Sequence, residues 1–110
     1  MKEQLFVYGT LGPGRVNGQV LEAIGGTWQT ATIFGSLRQE GWGADFGYPG
    51  ITLDEHGGEV EGFLFSSENL SDHWTALDQF EGEAYERVLA KVKLKGGNLV
   101  DAYTYTLRSA

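Results

Sequence analysis

The chain has 110 residues, enough for one domain with a single hydrophobic core, which we place at 1–110. Its apolar fraction of 41% is typical of a folded globule. The formal charge of −7 argues against nucleic acid or an anionic membrane as a partner, because both need clustered Lys and Arg.

Cysteine is absent, which excludes disulfides, thiolate metal sites and cysteine nucleophiles. His56 and His73 lie far apart in the sequence and make a poor metal set. No apolar run approaches the roughly 20 residues of a membrane span. The opening residues MKEQLFVYG also lack the basic-then-apolar order of a signal peptide. We therefore expect a cytoplasmic protein without a metal.

The first part of the chain predicts two strands joined by a helix. Gln4–Tyr8 alternates and is rich in strand formers, and the glycines and proline of GTLGPG then break it. Arg15–Ile24 fits a short helix that ends at the following glycine pair. Thr27–Gln39 predicts a longer strand, in which Gly35 marks a bulge or a close backbone approach.

After a glycine-rich loop at 40–50, the sequence predicts four more strands and one helix. A short strand begins at Ile51, and the next spans Glu59–Phe65. The helix follows in SSENLSDHWTALDQF, with Ser67 or Asn69 as its N-cap. The last two strands, YERVLAKVKL and LVDAYTYTL, form a hairpin around the turn KGGN.

Five or six strands and two short helices, without regular βαβ alternation, indicate an α+β fold. So much strand in so short a chain predicts a curled sheet. We expect this sheet to close into a small mixed β-barrel of five to seven strands with two short flanking helices. The sequence has no internal repeat or linker, so we expect one structural unit.

The second helix carries an acid where its apolar stripe should continue. Leu70, Trp74 and Leu77 are spaced four and three apart, and the next position on that face is Glu81. Gly82 follows and should end the helix. Partial desolvation and the negative end of the helix dipole would both raise the pKa of this carboxyl. Such an acid is suited to proton transfer near neutral pH.

Each candidate feature also has a plain structural interpretation. A last-turn residue can rotate off its face, which would leave Glu81 as one solvated acid in an acid-rich turn.

The turn Tyr8–Gly14 either aims backbone N–H groups at an anion or simply connects a strand to a helix. It matches neither a Walker loop nor GxGxxG. Tyr85 and Arg87 share a strand face; Tyr85 can anchor the Glu81 turn, and Arg87 can pair with an acid.

Taken together, these segments resemble the gamma-glutamylcyclotransferase-like family, in particular its gamma-glutamylamine cyclotransferase branch. LFVYGTL (5–11) is similar to the family's opening strand and substrate loop. LDQFEGEAYERV (77–88) is similar to the helix end that carries the family's acid. The shorter matches YPG, VEGFLF and AYTY fall in the expected order. The resemblance covers nearly the whole chain and rests mainly on the first two segments.

The resemblance implies an enzyme, a transferase or lyase, that acts on a small-molecule γ-glutamyl substrate without a metal or other cofactor. The α-amine of the substrate attacks its own γ-carbonyl, which closes 5-oxoproline and releases an amine. The family's catalytic acid corresponds to Glu81, acting as base and then as acid. The substrate loop corresponds to Tyr8, Gly9, Thr10 and Leu11. Its N–H groups would hold either the substrate carboxylate or the γ-carbonyl, and the sequence does not decide between the two.

The chain departs from the family pattern after Leu11, where members often carry a basic residue. Gly12-Pro13-Gly14 follows here, and Arg15 is the first base. This departure motivates an alternative, a non-catalytic module that binds a small ligand on the same fold. A third interpretation is an ester or amide hydrolase that uses the same carboxylate with water. The sequence does not predict the oligomeric state.

Overall fold

The structure, a computed structural model, describes residues 3–8, 18–38, 50–54 and 56–107. The elements in chain order are β1 (Glu3–Val7), α1 (Gly18–Ile24), β2 (Thr27–Arg38), β3 (Gly50–Leu53), β4 (Gly58–Ser67), a 3-10 turn (Leu70–Asp72), α2 (Trp74–Glu81), β5 (Tyr85–Leu94) and β6 (Leu99–Leu107). The predicted strands are confirmed within a few residues at their ends. The predicted glycine-rich loop at 40–50 lies outside the described residues, apart from Gly50 at the start of β3.

The six strands form one sheet that closes on itself. Their order is β3-β2-β4-β1-β6-β5, and β2 also pairs with β5 at Ala31–Leu94 and Thr32–Lys93. That pairing closes a five-stranded barrel, and β3 extends the sheet beyond it along β2. β1 and β6 run parallel while the other pairs are antiparallel, so the barrel is mixed. The predicted α+β barrel with flanking helices is confirmed.

Alternation along β1 divides its side chains between two hydrophobic clusters. Phe6 belongs to a cluster made entirely of strand residues, with Ile33, Leu64 and Val92, which fills the barrel. Leu5 and Val7 belong to a second cluster that includes buried leucines from α1, the 3-10 turn and α2, namely Leu21, Leu70 and Leu77. The helices therefore cover the outer face of the barrel, and burial of both clusters is the main favourable term for folding.

The second helical segment is shorter than the sequence predicts. The 3-10 turn and α2 are separate, with His73 between them, and Asn69 makes no side-chain cap. The Asn69 amide instead donates to the carbonyl oxygen of Ile24, at 3.0 Å, and the Ser67 hydroxyl donates to that of Gly25. Both side chains thus bind the end of α1, and neither caps α2. Asn69 is the N-cap residue of the 3-10 turn but without a side-chain bond, and the Ser67 hydroxyl oxygen accepts the N–H of Asn69 at 3.0 Å. Within the described ranges no helix is long and apolar enough to cross a membrane.

Gly35 marks a close approach of two strands, which is one of the two predicted possibilities. The pairing of β2 with β4 runs to Gly35 without a skipped residue, and the pairing of β2 with β3 begins at Gly35, so there is no bulge there. A Cβ at this position would lie 2.5 Å from the carbonyl oxygen of Thr52 and 3.2 Å from the side chain of Ile51. Only a residue without a side chain allows β3 to lie this close to β2.

We expect Gly35→Ala to lower the free energy of unfolding by about 1–3 kcal/mol, because the new methyl group overpacks against backbone that has little room to move. Gly58→Ala is the matched control, since a Cβ at Gly58 would have no atom within 4 Å. Urea unfolding of both variants measures the difference. Equal stability of the two variants would show that β3 does not pack against Gly35 as described.

Candidate functional site

Glu81 is the last residue of α2, one turn beyond the buried Leu77. Its side chain is partly buried, and that burial raises the pKa of the carboxyl from 4.5 to about 7. Desolvation penalises the charged form, so the neutral acid persists to higher pH. The helix ends at Gly82, whose φ of +82° favours glycine and whose N–H donates to the carbonyl oxygen of Asp78 at 3.0 Å. The predicted direction of the pKa shift and the predicted helix end are both confirmed.

Tyr8 follows β1 and packs against the barrel cluster. Its hydroxyl donates to the carbonyl oxygen of Tyr105 and accepts the N–H of Ile51, at 3.1 Å. Burial raises the pKa of Tyr8, the bond from Ile51 opposes the rise, and the charges of Glu81 and Tyr85 add to it. The phenol therefore stays neutral, and its one hydrogen-bond donor is already taken by the carbonyl oxygen of Tyr105. Any contact of Tyr8 with a ligand would use its ring or its backbone.

Glu81, Tyr8 and Tyr105 share one electrostatic environment. Burial and the hydrogen bond to Asp78 raise the pKa of Tyr105, and the charge of Glu81 adds to the rise. The carboxyl of Glu81 thus lies close enough to influence both phenols. Gly9, Thr10 and Leu11 lie outside the described residues, so their place in the substrate loop stays a prediction. The structure brings Glu81 to the point where that loop begins.

Tyr85 and Arg87 begin β5 directly after the Glu81 turn. Tyr85 is buried, and its backbone N–H donates to the carbonyl oxygen of Gly82, at 3.3 Å. The main-chain N–H of Tyr85 therefore closes the turn, whereas an anchoring role for its side chain stays a prediction. Arg87 pairs with Asp78, with Nη2 lying 3.7 Å from Oδ2, so the predicted pairing with an acid is also present.

Sequence analysis missed the role of Tyr105 and Asp78 in this site. The hydroxyl of Tyr105 donates to Oδ1 of Asp78 at 2.7 Å, which links β6 to α2. Asp78 lies four residues after Trp74 and three before Glu81, a helical spacing that places all three on one side of α2. That spacing is visible in the sequence. The partner of Asp78, 27 residues away, is set by the strand pairing and is not visible there.

Two cavities flank the site. The larger, of about 540 Å³, is a groove lined by parts of four strands and includes Tyr8, Glu61, Phe63 and Lys95. The smaller, of about 270 Å³, lies at the end of α2 and is lined by Asp78, Gly82, Tyr85, Glu86, Arg87 and Tyr105. Glu81 is not among the described residues that line either cavity. Tyr8 connects the groove to the environment of Glu81.

The described residues contain no cluster of three or more His, Cys, Asp or Glu side chains that could hold a metal ion. Titratable groups meet around Glu81 instead, and they come from four elements of the fold. The chemistry that this arrangement supports is proton transfer by a carboxylic acid whose two protonation states are both populated near neutral pH.

The chain matches a family model and is similar to several solved structures. The family model described as "Gamma-glutamyl cyclotransferase, AIG2-like" matches residues 5–110. YkqA from Bacillus subtilis is 27% identical with a TM-score of 0.74, and the match covers 98% of this chain and 36% of YkqA. At5g39720.1 from Arabidopsis thaliana is 28% identical with a TM-score of 0.74, over 96% of this chain and 68% of that one.

An AIG2-like protein from Mus musculus shares the fold at 24% identity, with a TM-score of 0.69, over 99% of this chain and 79% of that one. The chain therefore spans about a third of the length of YkqA and most of the length of the mouse protein. No curated protein matches the chain at a significant level.

We expect Glu81→Gln to stabilise the protein above pH 7. A carboxyl whose folded pKa is about 7, against 4.5 when unperturbed, contributes to stability below pH 4.5 and loses that contribution as the pH rises through 7. Glutamine has no charge to desolvate. The free energy of unfolding of Glu81→Gln minus that of the wild type should be about 2 kcal/mol larger at pH 8 than at pH 5.

Urea unfolding at the two pH values measures this difference. Glu83→Gln, which removes an exposed carboxylate from the same turn, is the matched control and should change the stability far less. The burial of Glu81 would be contradicted if Glu81→Gln altered the stability equally at pH 5 and pH 8.

Proposed function

This chain belongs to the gamma-glutamyl cyclotransferase, AIG2-like family, and on that premise we propose that it converts a γ-glutamyl compound into 5-oxoproline and a free amine. The observation that carries the proposal is the partly buried carboxyl of Glu81. Its pKa is about 7, and it lies beside Tyr8, where the predicted substrate loop begins. Family membership supports the reaction class, and the local chemistry supports the choice of the acid.

The proposed reaction needs one group that first takes and then returns a proton. The α-ammonium group of the substrate cannot attack until it loses a proton, and Glu81 accepts that proton as the general base. The freed amine nitrogen then bonds to the γ-carbonyl carbon and forms a five-membered ring. Glu81 returns the proton to the leaving nitrogen as the old C–N bond breaks. The ring nitrogen loses its second proton as the lactam forms, and the released amine takes up that proton as an ammonium ion. Water is not consumed, and a pKa of about 7 makes both protonation states accessible at neutral pH.

Because the attacking amine and the γ-carbonyl belong to one molecule, the protein needs only to hold a folded conformer of the substrate. The net charge of −7 repels an anionic substrate at long range, so a local anion site is required. The backbone N–H groups of Gly9, Thr10 and Leu11 would supply that site or would polarise the γ-carbonyl. Tyr8 would contribute its ring and its backbone, since its hydroxyl proton is already used.

We assign the leaving amine to the groove beside Tyr8, whose volume of about 540 Å³ exceeds the needs of a γ-glutamyl group alone. Glu59 in its wall pairs with Lys93 at 3.4 Å. Glu61, Lys95 and Phe63 offer further charged and apolar contacts. The identity of the amine would follow from these contacts. The proposed chemistry requires neither a metal nor another cofactor, and a cytoplasmic location remains our expectation.

The direct test is Glu81→Gln, which keeps the shape of the side chain and removes the base. We expect release of 5-oxoproline from a panel of γ-glutamyl amines and amino acids to fall by at least about 100-fold. For the wild type, kcat/KM should rise with pH and level off above about 7, because only the ionised carboxylate accepts the proton. Glu83→Gln is again the control and should retain the wild-type profile.

Equal rates for the wild type and Glu81→Gln would contradict the assignment. Ligand-induced stabilisation by 5-oxoproline in a thermal-shift screen, with no product from any substrate, would favour the non-catalytic binding module. Release of free glutamate in place of 5-oxoproline would indicate a hydrolase that uses the same carboxylate.

A further inference from the structure

Tyr105 contacts the two sides of the candidate site at once. It is buried in β6, with 4% of its surface exposed. Its hydroxyl donates to Oδ1 of Asp78 on α2 at 2.7 Å, and its backbone carbonyl accepts the hydroxyl of Tyr8 at the end of β1. One residue therefore joins the helix that carries Glu81 to the strand from which the predicted substrate loop leaves.

Asp78 is also held from its other side. Its Oδ2 lies 3.7 Å from Nη2 of Arg87, and the guanidinium of Arg87 lies 4.4 Å from the centre of the Trp74 ring and 5.4 Å from that of Tyr103. The second guanidinium nitrogen, Nη1, is buried and has no hydrogen-bond partner among the described residues. The faces of the two aromatic rings provide the compensating interaction for this cation.

The two contacts of Asp78 differ in strength. The Asp78 side chain is 45% exposed, and at 3.7 Å the Arg87 pair is a solvent-screened contact of small value. The bond from the buried Tyr105 is short and has a charged acceptor, which makes it the stronger contact. We therefore treat the hydroxyl of Tyr105 as the main restraint on the Asp78 side chain.

The position of Asp78 determines the position of Glu81. The two residues are three apart on one helix and lie on the same side of α2. The carbonyl oxygen of Asp78 accepts the N–H of Gly82 at 3.0 Å, which closes the last turn. A displacement of Asp78 would move the whole of that turn, including the carboxyl of Glu81, relative to Tyr8.

We propose that Tyr105 and Asp78 are positioning residues, which fix the last turn of α2 against the end of β1 and so hold the Glu81 carboxyl at its depth near Tyr8. Neither residue touches the reacting atoms. The kinetic consequence rests on the proposed function, whereas the structural restraint does not. The titratable and charged groups around this turn include Tyr8, Asp78, Tyr85, Arg87 and Tyr105. Glu83 lies in the turn itself, and Glu86 lines the cavity at the end of α2.

The test is Tyr105→Phe, which removes the hydroxyl and keeps both the ring and the backbone carbonyl that holds Tyr8. We expect kcat to fall about tenfold with little change in KM, because binding is retained while the acid is misplaced. The midpoint of the pH–rate profile should move below 7 by about one unit, because a loosened turn admits water to the carboxyl.

Thr104→Val is the matched control on the same strand. The buried hydroxyl of Thr104 donates to the carbonyl oxygen of Phe6 at 3.0 Å, so its removal also weakens a link between β6 and β1 but leaves α2 untouched. This variant should lose stability while its kcat and pH midpoint stay at wild-type values. A merely structural role for Tyr105 predicts that the two variants behave alike.

A second measurement does not depend on turnover. The stability gain of Glu81→Gln at pH 8 is determined by urea unfolding in the wild-type, Tyr105→Phe and Thr104→Val backgrounds. We expect the gain to shrink by half or more with Tyr105→Phe and to persist with Thr104→Val. An undiminished gain with Tyr105→Phe overturns the positioning role. A diminished gain in a protein that releases no 5-oxoproline supports the positioning role while the proposed function fails.

Discussion

The pairing of β2 with β5 at Ala31–Leu94 and Thr32–Lys93 gives the sheet an inside and an outside. Because side chains alternate along a strand, this closure decides that Phe6 fills the barrel while Val7 faces the helices. The parallel pairing of β1 with β6 brings together side chains that are distant in sequence at one end of the barrel. The placement of the candidate site follows from the closure and from that pairing.

At that end, an apolar helix face and a network of hydrogen bonds act on the same carboxyl. Burial of Leu77 brings the last turn of α2 down onto the barrel, and Glu81 is withdrawn from water as a result. Around it, the Tyr8 hydroxyl donates to the main-chain carbonyl oxygen of Tyr105, and the Tyr105 hydroxyl donates to Asp78. The packing of the helix offsets the cost of desolvating Glu81, and a carboxyl with a pKa near neutrality is the consequence.

Much of the fold was predictable because its signals are local. Alternation located the strands, and Gly82 located the end of α2. Glu81 was predictable because it interrupts an apolar stripe at helical spacing. The use of Asn69 to bind α1 was not, because it depends on a contact between residues 45 positions apart, and no local signal marked the break of the helix at His73. The role of Tyr105 was hidden because its partners, Asp78 and Tyr8, lie 27 and 97 positions away.

The Glu81 carboxyl is partly withdrawn from water near Tyr8, where the predicted substrate loop begins. The most direct measurement is an NMR titration of the side-chain carboxyl carbons in protein labelled with ¹³C-glutamate, with Glu81→Gln used to assign the signal. A midpoint of about 7 for Glu81 is the result that the account predicts. A midpoint near 4.5, as for a solvated glutamate, would contradict it and leave only the shared fold.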